Sequence, residues 1–339
     1  MDPFSTRVRP DGGNTKASKM RIISVIIASH NRYSDLEEVL NGLMLQEING
    51  NFLFEVLVVD NHSTDTTKES VFSYVPKFSS EDMKKKCLGL RYIFESIQGK
   101  SYALNHGVKE AKGDILVFTD DDVWIDKQWL KNVVSCFDEF QCDGVGGRVV
   151  PIYPDQTPQW VKDHPVQLAG VVVIADYGEE TKPYGRPMDP FIGSNYAFKR
   201  EVFKDCGFFR EDLGPGAPAM GEDSEFVMRL AEKGKLLYYC GGAVIRHPVD
   251  LSRLRLKYIS KWHIALGRFA ARLEMDHKKS VFVYYFGVPR YLIAGVMKDA
   301  FFLLIYVFSR IRFYNRLRGF FRKVGMIMEY RDTIQKKVA

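Results

Sequence analysis

An α/β fold with a mostly parallel, Rossmann-like central sheet flanked by helices, and with a C-terminal helical extension, is what this sequence predicts. Three observations carry the prediction. Short β-branched apolar runs alternate with helical patterns over the first half of the chain, which implies βαβ units and right-handed crossovers. Polar clusters follow three of those runs, at residues 29–32, 60–65 and 120–122, and in such sheets ligands sit beyond the carboxyl ends of the strands. From residue 251 onward the chain mixes basic residues with long apolar stretches.

The elements follow in order. "RIISVIIAS" is short, β-branched and ended by polar residues, as a buried parallel strand should be. "RYSDLEEVLNGLMLQ" sets Leu36, Val39, Leu40, Leu43 and Leu45 near helical spacing. "FEVLVVDNHSTDTT" is a second buried strand ending on Asp60, and "LRYIFES" a third. "SYALNHGVKEAKG" reads as a helix stopped by Gly113. "DILVFT" is a fourth strand, running straight into Asp120, Asp121 and Asp122, and the helix "DKQWLKNVVSCFDEF" follows. From 149 to 221, prolines such as Pro151, Pro154, Pro158 and Pro165 predict long functional loops. "GEDSEFVMRLAEKG" is a helix with acids in its first turn and Gly234 past its end. The strand "KLLYYC" and then "GGAVIRHP" complete the pattern.

Five cysteines without paired spacing argue against a zinc site or a disulfide framework and read as reduced, buried thiols of a cytosolic protein. The net charge of +6 hides an asymmetry: residues 251–339 hold 19 basic and 5 acidic residues, while the preceding 250 hold 29 basic and 37 acidic. A basic tail on an acidic body is expected to meet an anionic surface. Nucleic acid is the poorer partner, because the basic residues are interleaved with apolar runs. Residues 281–308 are apolar but broken by Pro289, Arg290, Lys298 and Asp299, so the reading is an interfacial segment on anionic lipid rather than a membrane span. The competing reading is a helical extension packed on the body or on a second subunit of a homo-oligomer. Residues 1–19 are polar and expected to be a disordered leader or an added segment, with Met20 as the natural start.

The aspartate triplet poses the chemical question. Adjacent carboxylates repel and raise one another's pKa, unless water screens them or a cation neutralises them. Mg²⁺ and Mn²⁺ take hard oxygen ligands, often one or two carboxylates plus substrate phosphates. An acidic turn capping the next helix is the plainer alternative.

"SVIIASHNR", "EVLVVDNHSTDTT", "GKSYALNHGVKEAKGDILVFTDDD", "FIGSNYAFKR" and "GEDSEF" occur in this order. The series resembles the family 2 glycosyltransferases with the GT-A fold, over residues 21–248. The resemblance implies an inverting, Mn²⁺- or Mg²⁺-dependent transfer of a sugar from a nucleotide-sugar donor, typically a UDP-sugar. The acceptor would be a polysaccharide or lipid-linked glycan, and the enzyme would work at the inner face of the membrane. Residues 20–250 would form the catalytic domain and 251–339 the extension.

Carried onto this chain, the resemblance puts Ala28, Ser29 and Arg32 in the nucleotide pocket and Asp60 and Asn61 against the base. Lys100 would meet phosphate, and Asn105 would lie near the donor or serve as a structural amide. Asp120, Asp121 and Asp122 would share metal and ribose duties. Gly193, Ser194 and Asn195 would line the sugar pocket. Asp223, with Glu222 beside it, would take the acceptor's proton; helix capping is the alternative for both. His247 would be a third metal ligand or a structural histidine. Trp160 and Trp262 read as core residues ahead of sugar platforms. Two rival functions remain: a nucleotidyltransferase, although "SHNR" stands where a Gly-rich phosphate loop belongs, and a non-catalytic glycan-binding scaffold.

Overall fold

A computed structural model of the chain describes residues 20–48, 50–184, 191–276, 284–285 and 287–338. The expected leader at 1–19 lies outside them. The strands are β1 (Arg21–Ser29), β2 (Phe52–Asp60), β3 (Cys87–Phe94), β4 (Ile115–Thr119), β5 (Trp124–Ile125), β6 (Gly144–Ile152), β7 (Lys182–Pro183), β8 (Asn195–Lys199), β9 (Leu237–Pro248), β10 (Tyr284–Tyr285) and β11 (Val288–Pro289). The helices are α1 (Tyr33–Met44), α2 (Thr67–Phe78), α3 (Glu81–Lys84), α4 (Lys100–Glu110), α5 (Trp129–Phe140), α6 (Gln159–Lys162), α7 (Arg200–Cys206), α8 (Glu222–Glu232), α9 (Leu256–Asp276), α10 (Arg290–Ile305) and α11 (Arg310–Val338).

The sheet runs in the order β3-β2-β1-β4-β8-β6-β9-β5, with β7 also on β9. Strands β3, β2, β1 and β4 are mutually parallel. Alternation of side chains explains the layers: on β1, Ile23, Val25 and Ile27 enter the core beneath α1, α2 and α5, while Ile26 enters the opposite core beneath α4, α7 and α8. Within the stretch read as loops the structure adds a strand, β8, and a helix, α7. β8 runs antiparallel to both β4 and β6, so the sheet is mixed. Its five residues are too few for a periodic signal, and burial against Phe118 and Phe203 makes it a strand.

Two packing features place the site. Phe226 on α8 lies among Phe198, Phe203 and Phe209; burying such a ring contributes about 1.5–3 kcal/mol and pins the helix one turn below Glu222 and Asp223. β9 is one strand where the sequence reads as two pieces, because "GGA" forms a bulge: Cys240 lies opposite Gly147, but Val244 opposite Arg148. Beyond it the period of two resumes, with Ala243, Ile245 and His247 buried and Arg246 exposed. The bulge thereby delivers His247 to the inner face.

The five cysteines are buried and unbridged. α9 and α11 cross where Gly267 and Gly325 remove side chains, since a Cβ there would stand 1.9 Å from the Arg322 carbonyl oxygen and 2.0 Å from that of Ile264. Arg268 and Arg272 on α9 pair with Glu329 on α11 at 2.8 and 2.7 Å, and Arg272 also reaches Asp212 of the body. No described helix is long and apolar enough to cross a membrane.

Candidate active site

Register brings the polar strand ends together. Ile27 pairs with Thr119 on one side of β1, and Ser29 with Asp60 on the other. Two residues further along, Ser29 and Asp121 are level, and the Ser29 hydroxyl donates to Asp121 Oδ2 at 2.7 Å. Thr119 also pairs with Asn195, the first residue of β8.

Three side-chain cations surround the aspartates. Lys100 Nζ lies 2.5 Å from Asp120 Oδ1. Arg32 donates to Asp122 Oδ2 and stands 3.9 Å from Asp121. Arg253 lies 3.9 Å from Asp122 Oδ2. Burial pushes Asp121 up to about 7, helped by the charge of Asp122. Burial works in the same direction on Asp120, but the Lys100 ammonium outweighs it and holds that carboxyl below its usual value. Burial acts to discharge Lys100, and Asp120, then Glu222 and Asp223, hold its pKa above the ordinary lysine value. One ammonium thus senses both the end of β4 and the first turn of α8.

Asp120, Asp122 and His247 each offer a ligand atom, all within 4.8 Å of one another. His247 Nδ1 lies 3.0 Å from the Pro248 carbonyl oxygen; a carbonyl only accepts, so Nδ1 carries the proton. Nε2 then turns to Asp122 Oδ1, 3.4 Å away. In the neutral ring two lone pairs face each other there, an arrangement a cation satisfies. Two carboxylates and an imidazole oriented by a carbonyl suit Mn²⁺ or Mg²⁺.

Across from them, Asp223 is half-buried and ordered at both oxygens: Oδ2 accepts from the Gly193 amide at 2.9 Å and Oδ1 from the Ser224 amide at 2.6 Å. Gly193 allows this approach, since even a Cβ would lie 3.2 Å from Asp223 Oδ2. Glu222 is buried, and burial followed by the charge of Asp223 raises it to about 7.

Other expected residues are held in the scaffold. Asp60 accepts from the Ser63 amide and the Tyr92 hydroxyl, and Asn61 ties the Ile97 carbonyl to the Gly99 amide. Asn105 binds both backbone groups of Phe209. Asn195 accepts from Trp129 and donates to the carbonyls of Arg148 and Ala243. Ala28 packs against the core beneath α4, and the Ser194 hydroxyl is buried with no partner among the described residues. Trp160 packs with Tyr314 in a small core, and Trp262 stacks on Tyr258. Sequence reading passed over two groups. The Tyr196 hydroxyl is buried without a described partner, near Asp223 and Glu222. Arg253 lines a cleft of about 440 Å³ with Arg32, Asp122 and Trp124.

Residues 24–207 match the family model described as glycosyl transferase family 2. This chain belongs to that family. It is 34% identical to the glycosyltransferase AglE of Haloferax volcanii over 139 residues, 41% of this chain and 42% of that protein. It is 32% identical to the poly(ribitol-phosphate) beta-N-acetylglucosaminyltransferase TarS of Staphylococcus aureus, over 39% of this chain and 23% of TarS. The matches thus span less than half of either relative. Among solved structures, mannosyltransferase PcManGT from Pyrobaculum calidifontis, in complex with GDP-Man and Mn²⁺, aligns with TM-score 0.59 at 19% identity, covering 93% of this chain and 88% of that one. S. aureus TarS 1-349 in complex with UDP-GlcNAc aligns with TM-score 0.53 at 17% identity, covering 93% and 92%. The shared architecture is the GT-A fold.

Proposed function

We propose that this protein moves a sugar from a nucleotide-sugar, a UDP-sugar in the first instance, to a hydroxyl of a polysaccharide or lipid-linked glycan, with inversion at C1. The observation that carries the reading is the ordered Asp223 carboxylate, on a helix N-terminus that shares Lys100 with Asp120 of the triplet. In the transfer, the acceptor oxygen bonds to C1 as the bond from C1 to the β-phosphate oxygen breaks. The hydroxyl proton passes to Asp223, and the electron pair leaves on the nucleoside diphosphate. Gly193 and Ser224 fix the base's orientation, and Lys100 lies where a phosphate oxygen can replace Asp120 as its partner. Asp120, Asp122 and His247 would hold Mn²⁺ or Mg²⁺, which when bound neutralises charge on the departing diphosphate.

Residues 20–250 would form the catalytic unit, and the extension would rest on the inner face of the membrane. That placement is supported by a stripe on α10 and just beyond it, where Ile293, Met297, Phe301, Leu304 and Phe308 are all exposed, Phe308 at 99%. Basic residues of α11, beginning with Arg310 and Arg312, follow at once, a pairing that suits anionic lipid.

The test is a panel of nucleotide-sugars incubated with the full chain, with Mn²⁺ or with EDTA. Metal-dependent release of a nucleoside diphosphate is expected. Pyrophosphate release would instead make the protein a nucleotidyltransferase, and no turnover or binding of any donor would leave a glycan-binding scaffold.

A further inference from the structure

We propose that Arg253 binds the diphosphate of the nucleotide donor, swinging little from the place it already occupies. The sequence hides this residue in the basic stretch "LSRLRLK". It lies in the short 3₁₀ turn at Leu251–Leu254, just past the β9 end that carries His247.

Its surroundings are unusual for an arginine. The side chain is only 15% exposed, and that exposure includes the guanidinium nitrogens, which face the cleft. Here the guanidinium has no hydrogen-bond partner among the described residues. It forms loose ion pairs with Asp122 Oδ2 at 3.9 Å and Asp250 Oδ2 at 3.7 Å, both beyond hydrogen-bond distance. The group is nonetheless held in position. The Tyr258 ring lies 5.7 Å from the guanidinium carbon, and the Tyr258 hydroxyl donates to the Gly170 carbonyl at 3.0 Å.

A partly buried cation whose donors open into the cleft beside Asp122 suits an anionic ligand with several acceptor oxygens. A planar fork suits phosphate in two-point contact. Arg32 already spends a donor on Asp122 and Lys100 on Asp120, so Arg253 is the cation of this site whose donors are least engaged. The inference rests on the donor reading above and adds to it a residue that none of the family motifs contains.

The experiment is calorimetric titration of the full chain in Mn²⁺ with UDP, GDP, ADP, CDP and dTDP, followed by the nucleoside of whichever binds tightest. Arg253→Ala, and Arg253→Met as a variant that preserves packing on Tyr258, are titrated alongside, with Arg253→Lys as a partial rescue. Loss of charge-assisted hydrogen bonds is expected to weaken the diphosphate about 10–100-fold, while the nucleoside changes by less than about twofold. Equal weakening of both ligands in Arg253→Met would mean a structural role and overturn the proposal. Unchanged diphosphate affinity would overturn it too and leave the transferase reading standing. A wild-type chain that binds none of the five would sink that reading, and this inference with it.

Discussion

Asp223 and Glu222 are chain neighbours in different environments. Glu222 is buried and held near neutrality in its pKa, while Asp223 opens to the site with both oxygens oriented by amides. Asp223→Asn keeps the shape and removes the proton acceptor. Transfer should fall by about 10²–10⁴-fold or more, with calorimetric affinity for the nucleoside diphosphate unchanged; normal turnover would give the base's role to another group. The metal reading has its own check. Mn²⁺ added with UDP should raise the melting temperature of the wild type above that with UDP alone, since a ligand of the folded state stabilises it. The same addition of Mn²⁺ should do nothing to Asp122→Ala/His247→Ala, and EDTA should abolish turnover.

Among the elements, the parallel half was legible because each strand is an apolar run closed by a polar cluster, and sheet register then dictates which clusters meet. Asp121 and Ser29 come together for that reason. β8 was not legible, because its five residues carry no period of their own and take their conformation from burial. Asn105 and Asn195 show a second limit: an amide's type does not reveal whether it faces a ligand or the backbone. Arg253 shows a third, since one cation among many basic residues carries no distinguishing pattern. The crossing of α9 and α11 at Gly267 and Gly325 was equally silent. Gly267→Ala or Gly325→Ala should each destabilise the chain by about 1–3 kcal/mol, because the added carbon meets backbone that cannot yield; an unchanged melting temperature would refute the close approach. His263, buried between these helices, is pushed down to about 4 by burial and by Arg318 and Arg322. The unfolded chain takes up that proton near 6.5 and the folded chain only near 4. Stability is therefore full above about pH 6.5 and falls on acidification toward pH 4, by on the order of 3 kcal/mol. Denaturant titrations against pH should show this slope, and His263→Phe should flatten it.

For the whole molecule, the proposed function divides two tasks between the acidic body and the basic extension, chemistry at the strand ends and attachment to lipid through α10 and α11. Flotation with anionic vesicles should carry the wild type upward and release it as salt rises. Met297→Glu/Phe301→Glu/Phe308→Glu should stay in the dense fraction while folding normally. Flotation of that triple variant would move the lipid-binding surface elsewhere.

The counter-charges around Asp120, Asp121 and Asp122 have a thermodynamic corollary. A divalent ion entering alone must compete with Lys100 and Arg32 for carboxylate oxygens, and the mostly buried Lys100 would lose its Asp120 partner. A nucleotide entering with it offers those cations new oxygens. Ion and nucleotide should each tighten the other's binding by one common factor, so the proposed enzyme should hold free metal weakly until the donor arrives.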